Sequence, residues 1–349
     1  MKNIVAVIST TLLISSCSWF SSPPTRVENP IVTGINYVGL AVSDLDQSEK
    51  LYHQSAGMQP ELDGLISDDP VVDTLTNRRG VSAKTRLLRG VNAQVLMMQF
   101  ESPSQAAKQA PLVDVNGPGI AHLAFQVVNT TQTYQKFLAG GATHVGALEM
   151  FENPRSHVSY AYVRDTDNTL VEIEHVNVAA LELPAPPKNE RRIRQISIAT
   201  TDMDRIVAFY SMLLETENPR RLGSLIKLSG EMVDDVSGIP GAEIEMAWFQ
   251  LRNLELEIIQ YHQPITQPLS EPRPFDALGY NMIVFDVTDL AAAREKLLAA
   301  GGAIVLDAQP MQGGHIFFAR DLDGNLIGFQ TLPARSPYSS KNFKDNGLG

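Results

Sequence analysis

The sequence predicts an α+β fold made of four copies of one strand–helix–strands unit, and three internal repeats predict it. Residues 119–127, GIAHLAFQV, return in the same register at Gly279–Val287 as GYNMIVFDV. LAVSDLDQSEKLY from Leu40 is matched by IATTDMDRIVAFY from Ile198. DTDNTLVEIE from Asp165 is matched by DLDGNLIGFQ from Asp321. The first and third units are one set of copies, and the second and fourth are the other. A unit this small cannot bury both faces of its own sheet, so the units must pair.

In the first unit, residues 37–42 alternate as a strand does, with Val38, Leu40 and Val42 on one face. Asp44 or Ser43 caps a helix that passes Leu51 and Tyr52 and stops at Gly57. Residues 84–88 and 94–100 read as further strands, and 60–80 are polar and poorly patterned. The second unit opens on 119–127. Alternation there sets Ala121, Leu123, Phe125 and Val127 toward a covering helix, and Ile120, His122, Ala124 and Gln126 the other way. Asn129 or Thr130 caps a helix over Tyr134, Phe137 and Leu138, which ends at Gly140-Gly141. Strands at 157–163 and 170–176 flank the turn Asp165-Thr166-Asp167-Asn168. The third unit repeats the first, with a strand at 195–200, then Asp202, then a helix through Val207, Phe209 and Tyr210. Strands at 243–250 and 254–261 complete it. In the fourth, Met282 stands where His122 stood, a helix runs from Asp289 to Gly301-Gly302, and the last strands flank residues 321–324.

At 349 residues, 44% hydrophobic and 19% charged, the chain has the composition of a globular protein with room for two domains. A formal net charge of −11 without a basic stripe excludes binding to a phosphate backbone, so nucleic acid is not a partner. The single cysteine, Cys17, excludes an intrachain disulfide. It follows Lys2, an apolar run over 4–14, and Ser15-Ser16. That run is too short to span a bilayer and suits an export signal. Ile14-Ser15-Ser16-Cys17 resembles the lipobox of bacterial lipoproteins. The resemblance implies lipidation of Cys17, a signal peptide over 1–17 and, with Ser18 following, a lipid anchor in the outer membrane facing the periplasm. Residues 18–30 then read as a tether, 31–178 as a first domain (units one and two) and 179–192 as a Pro-rich linker. Residues 193–332 are a second domain (units three and four), and 333–349 a mobile polar tail.

From about residue 31 to 332 the chain resembles the vicinal oxygen chelate superfamily of glyoxalase I, bleomycin-resistance proteins and extradiol dioxygenases. Three marks carry the resemblance: the opening strand ending in V-x-D before a helix, the G-x-x-H-x-x-F-x-V strand, and the D-x-D-G/N turn before the last strand. It implies four βαβββ modules forming two cup-shaped sheets. It also implies metal ligands at one cup-facing position of each first strand and one of each last strand. Module two holds His122 and Glu172 there, and module three holds Gln195 and Glu257. Modules one and four hold Tyr37, Leu96, Met282 and Gly328. Strand alternation places Glu172 between Val171 and Ile173, and Glu257 between Leu256 and Ile258, facing away from the helix-covered side. One complete set beside one stripped set points to pairing of two with three and one with four; the alternative, one with two and three with four, leaves two protein ligands in each cup.

The set His122, Glu172, Gln195 and Glu257 resembles the glyoxalase I ligands. Mixed nitrogen and oxygen donors suit one divalent ion such as Zn, Ni, Fe or Mn. The expected function is a metal-dependent lyase or isomerase acting on a small oxygenated molecule, with Glu172 or Glu257 as the base. His157, Tyr160 and Tyr162 are expected to line the substrate side of the same cup. The alternatives are a metal-free binder of the bleomycin-resistance type and an extradiol-type dioxygenase, which would need a second histidine. Glu174 and Glu255 read as solvated edge residues, and the cup lined by Tyr37, Leu96 and Met282 as structural or as a holder of an apolar ligand. With both cups closing inside one chain, a monomer or a homodimer is expected, touching the membrane through the anchor alone.

Overall fold

The computed structural model describes residues 25–127, 130–146, 158–177 and 192–343. Module one comprises β1 (Val32–Ala41), α1 (Leu45–Ala56), β2 (Gln59–Ile66), α2 (Pro70–Thr76), β3 (Ala83–Arg89) and β4 (Gln94–Phe100). A short α3 (Gln105–Gln109) leads to module two: β5 (Gly119–Gln126), α4 (Thr130–Ala139), β6 (Thr143–Val145), β7 (Val158–Arg164) and β8 (Leu170–Val176). Module three comprises β9 (Arg192–Ala199), α5 (Met203–Leu213), β10 (Arg220–Leu222), α6 (Glu231–Ser237), β11 (Glu243–Gln250) and β12 (Glu255–Gln263). Module four comprises β13 (Gly279–Val287), α7 (Leu290–Ala299), β14 (Ala303–Met311), β15 (Gly314–Arg320) and β16 (Leu326–Thr331).

The sheets cross the chain order. One, nine-stranded with a short added strand at Leu228–Ser229, runs β10-β11-β12-β9-β5-β8-β7-β6 and so joins module three to module two. The other, eight-stranded, runs β14-β15-β16-β13-β1-β4-β3-β2 and joins module four to module one. Their outer faces bury the apolar stripes of α1, α4, α5 and α7 in one core, to which Leu51, Phe137, Ile206 and Leu297 contribute. Each such aliphatic or aromatic side chain stabilises the layer by about 1.5–3 kcal/mol. The cups are the other faces.

Three repeated polar contacts fix this layout. Tyr52 on α1 donates to the buried Asp165 of module two, and Tyr210 on α5 donates to Asp321 of module four, both at 2.9 Å. Each Asp also accepts the backbone N–H groups of its own D-x-D turn. Asn92 and Asn253 occupy the same loop of modules one and three. Asn253 accepts from Ile35 N–H and Asn92 accepts from Ile193 N–H, so each loop grips the opening strand of the other module. Asp44, Asp202 and Asp289 cap α1, α5 and α7.

Several expectations are corrected. Strict alternation fails at the start of β5. Ser197 faces His122 but Ile198 faces Ile120, so Ala121 is an extra residue in a bulge. Ile120 therefore turns into the helix-covered core and Ala121 into the cup. β13 has the same bulge at Asn281, and Gly39 opposite leaves no room for a side chain, its Cβ position lying 2.3 Å from Asn281 Oδ1. Residues 59–66, read as poorly patterned, pair with β3 as an exposed edge strand, where period-two burial has no core to report on. The tail is instead packed against the first module over 333–343. Tyr338 packs edge-on to Tyr37, and Ser340 N–H donates to Asn36 Oδ1 at 3.0 Å. The end of the tether is also held, since Thr25–Arg26 pairs with Thr216–Glu217 and Ile31 N–H donates to Glu215. The signal segment with Cys17, the proposed α4 cap, His157 and linker residues 179–191 lie outside the described residues, apart from the backbone of Thr130.

Burial pushes the Asp165 and Asp321 carboxyls up to about 6 despite their donors. A raised folded pKa adds stability that is full below the unfolded value near 3.8 and is lost as pH rises through about 6. Tyr52→Phe and Tyr210→Phe should each cost about 1–2 kcal/mol in denaturant unfolding. Asp165→Asn should cost more at pH 4 than at pH 7.

Candidate metal centre

The centre is built where β5 and β9 run antiparallel at the middle of the nine-stranded sheet. Ser197 pairs with His122 on one side and Glu257 on the other, and Ala124 pairs with Gln195 and with Glu172. Four cup-facing side chains from four strands and two modules thus meet within two adjacent rows. Alternation with the core residue Leu123 sets the imidazole on the concave side, beside the bulged Ala121. A second bulge, at Arg194, puts Arg194 and Gln195 on the same concave side.

His122, Glu172 and Glu257 are all buried, with ligand atoms within 4.8 Å of one another. His122 Nε2 lies 2.9 Å from Glu172 Oε2 and 3.3 Å from Glu257 Oε2, yet forms a well-directed hydrogen bond to neither. Two donors bound to one ion at ~2.1 Å lie about 3.0–3.4 Å apart for octahedral to tetrahedral angles. The spacing and the undirected imidazole nitrogen therefore fit a divalent cation. Burial pulls the His122 pKa down, but Glu172 and Glu257 outweigh it and raise it to about 9. Burial likewise opposes ionisation of Glu257, and His122, Ser197 and Arg194 reverse that, holding the carboxyl below its ordinary range.

Gln195 reaches the triad through its amide nitrogen. Trp248 Nε1 donates to Gln195 Oε1 at 3.0 Å, and Gln195 Nε2 donates to Glu172 Oε2 at 3.2 Å. An indole N–H can only donate, so it fixes the amide this way round. Ligation through Oε1 requires giving up the Trp248 bond. Tyr162 lies across from Glu172, its ring 5.1 Å from His122, and Tyr160 lies across from Glu174. Burial beside these carboxylates pushes both phenols well up, so they stay neutral. His157 lies outside the described residues.

Glu174 and Glu255 are not solvated. Arg194 pairs with both, and Arg220, stacked 4.0 Å over Trp248, pairs with Glu255 as well. Burial raises Glu174 to about 7 even with Arg194 beside it. Edge-strand reasoning failed because β8 lies between β5 and β7, and β12 between β9 and β11, so both strands are interior within their own modules. Arg194, Ser197 and Trp248 were missed. The one signal for Trp248 was its cup-facing register in a strand next to Glu257.

In the metal-free protein, the raised His122 pKa adds stability that is full below about 6.5 and is lost as pH rises through about 9. His122→Ala should thus destabilise chelator-treated protein more at pH 6 than at pH 10, read by denaturant unfolding of both forms at each pH.

The profile of the Glyoxalase/Bleomycin resistance protein/Dioxygenase superfamily matches residues 34–173 and 192–329. No curated protein matches. Glyoxalase I from Zea mays shares the fold at 16% identity and a TM-score of 0.59, over 86% of this chain and 92% of that one. A candidate dioxygenase from Bacillus subtilis subsp. subtilis str. 168 does so at 9% identity and 0.56, over 91% of each.

Proposed function

The chain belongs to the Glyoxalase/Bleomycin resistance protein/Dioxygenase superfamily, and on that premise we propose a divalent-metal-dependent lyase or isomerase of the glyoxalase I type. Its substrate would be a small oxygenated molecule. The observation that carries the reading is the buried meeting of His122, Glu172 and Glu257 across the β5–β9 seam.

His122, Glu172 and Glu257 would hold a Zn, Ni, Fe or Mn ion, with Gln195 joining if its amide turns. Bound there, such an ion would polarise a substrate oxygen. The two carboxylates divide the remaining work. Glu257 is 3% exposed and is held below its ordinary pKa by His122, Ser197 and Arg194, which makes it a fixed anion and a poor base. Glu172, 7% exposed and turned toward Tyr162, would take and return the proton on the carbon next to the polarised group. Gln195 Nε2 orients it, and the neutral Tyr160 and Tyr162 wall the cup against water. A dioxygenase of the extradiol type calls for a second imidazole, and among the described residues none joins the triad.

The lipobox at Ile14–Cys17 supports anchorage at the outer membrane, facing the periplasm. Cys17→Ser should move the protein from the membrane fraction to the soluble fraction of its host.

Metal analysis tests the centre. Wild type should retain one ion per chain, with His122→Ala and Glu257→Ala losing it. Glu172→Gln should lower turnover about 10²–10⁴-fold in a substrate screen. No bound metal after incubation of wild type with Zn²⁺, Ni²⁺, Mn²⁺ and Fe²⁺ would sink the enzyme reading.

A further inference from the structure

The second cup repeats the register of the first with different chemistry. Gly39 pairs with Met282 and Leu96 as Ser197 pairs with His122 and Glu257, and Val284 pairs with Tyr37 and Gly328 as Ala124 pairs with Gln195 and Glu172. The positions that match His122, Glu172, Gln195 and Glu257 thus hold Met282, Gly328, Tyr37 and Leu96, with neither an imidazole nor a carboxylate among them. A cup kept only for structure would be packed to the density of an ordinary core. This one retains a cavity of about 320 Å³.

From this cavity we propose that the module one–four cup is a second binding site, for a small, neutral, largely apolar molecule carrying one hydrogen-bond acceptor. Its walls include Met98, Met282, Met311, Phe275, Phe318 and Tyr338. Thioethers and rings adapt to flat apolar shapes. Among the described residues Asp69 is the only charged lining residue, and its Oδ1 caps α2 by accepting from Val71 N–H and Val72 N–H. An anion would find no cation there.

The acceptor requirement follows from a chain of amides whose orientation starts at a backbone N–H. Ser340 N–H donates to Asn36 Oδ1, which turns Asn36 Nδ2 toward Gln330 Oε1 at 3.3 Å. Gln330 Nε2 then donates to Gln312 Oε1 at 2.9 Å, and the Tyr37 hydroxyl donates to the same oxygen at 3.0 Å. Gln312 is left with its NH₂ to offer. That amide lines the cavity and donates to no protein group among the described residues. Gln312 and Gly313, both at positive φ, form the two-residue hairpin turn between β14 and β15, which places Gln312 at the end of the cup.

Two neutral fluorescent probes test the site on the purified protein: 6-acetyl-2-(dimethylamino)naphthalene, which has a ketone acceptor, and N-phenyl-1-naphthylamine, which lacks one. The ketone probe should bind saturably at one per chain with blue-shifted emission. His122→Ala should leave its affinity unchanged. Met282→Trp and the half-buried Leu75→Trp, each filling the cavity, should weaken it by about tenfold or more at unchanged melting temperature. Gln312→Glu keeps the oxygen that serves Tyr37 and Gln330 but removes the donor, and should weaken the ketone probe about tenfold more than the naphthylamine. Non-saturable binding overturns the site, as does binding that survives both tryptophans or is lost in His122→Ala. Equal loss of both probes in Gln312→Glu overturns the acceptor requirement.

Discussion

The antiparallel ladder between β5 and β9 joins two modules that follow one another in sequence, and the whole candidate centre is suspended from it. A parallel neighbour flanks each of these strands, β8 beside β5 and β12 beside β9. Glu172 and Glu257 therefore stand on opposite sides of the ladder, facing the two halves of the seam. Neither module alone could assemble the triad, because His122 and Glu172 come from one and Glu257 from the other. The ladder also explains why so much charge is tolerated in one place. Glu172, Glu174, Glu255 and Glu257 are brought close together, and the Arg194 bulge supplies the permanent cation that offsets their repulsion.

The same ladder geometry is used twice, which separates what the fold requires from what the site requires. The β1–β13 seam copies the β5–β9 seam pair for pair, including a bulge in the strand opposite the module one or three partner. The bulge therefore belongs to the architecture, whereas the close approach at Gly39 is particular to the β1–β13 seam, since Ser197 stands at the matching position. The imidazole and carboxylates are an overlay on that architecture. The matching positions of the other seam hold Met282, Gly328, Tyr37 and Leu96 on the same ladder.

Between the sheets, the four long helices are held by paired contacts that run along the chain instead of across it. Tyr52 reaches from module one to Asp165 in module two, and Tyr210 reaches from module three to Asp321 in module four. The sheets link modules two with three and four with one, so every module is tied to both neighbours by a different kind of bond. Burying an aspartate is costly, and the D-x-D turn lowers that cost by giving the carboxylate backbone donors as well as the phenol.

The repeats and the helix caps at Asp44, Asp202 and Asp289 were legible in the sequence, because local periodicity and copying are written along the chain. The choice of His122, Glu172, Gln195 and Glu257 came from the family resemblance, with strand alternation agreeing on the face each takes. The bulges at Ala121 and Arg194, the burial of Glu174 and the ion pairing of Glu255, the packing of residues 333–343 and the amide orientation of Gln195 were not legible. Each depends on which strand lies alongside and which donor faces the group. Alternation says which side of a strand a residue takes; only the neighbouring strand decides whether that side is solvent, core or a centre that can hold an ion.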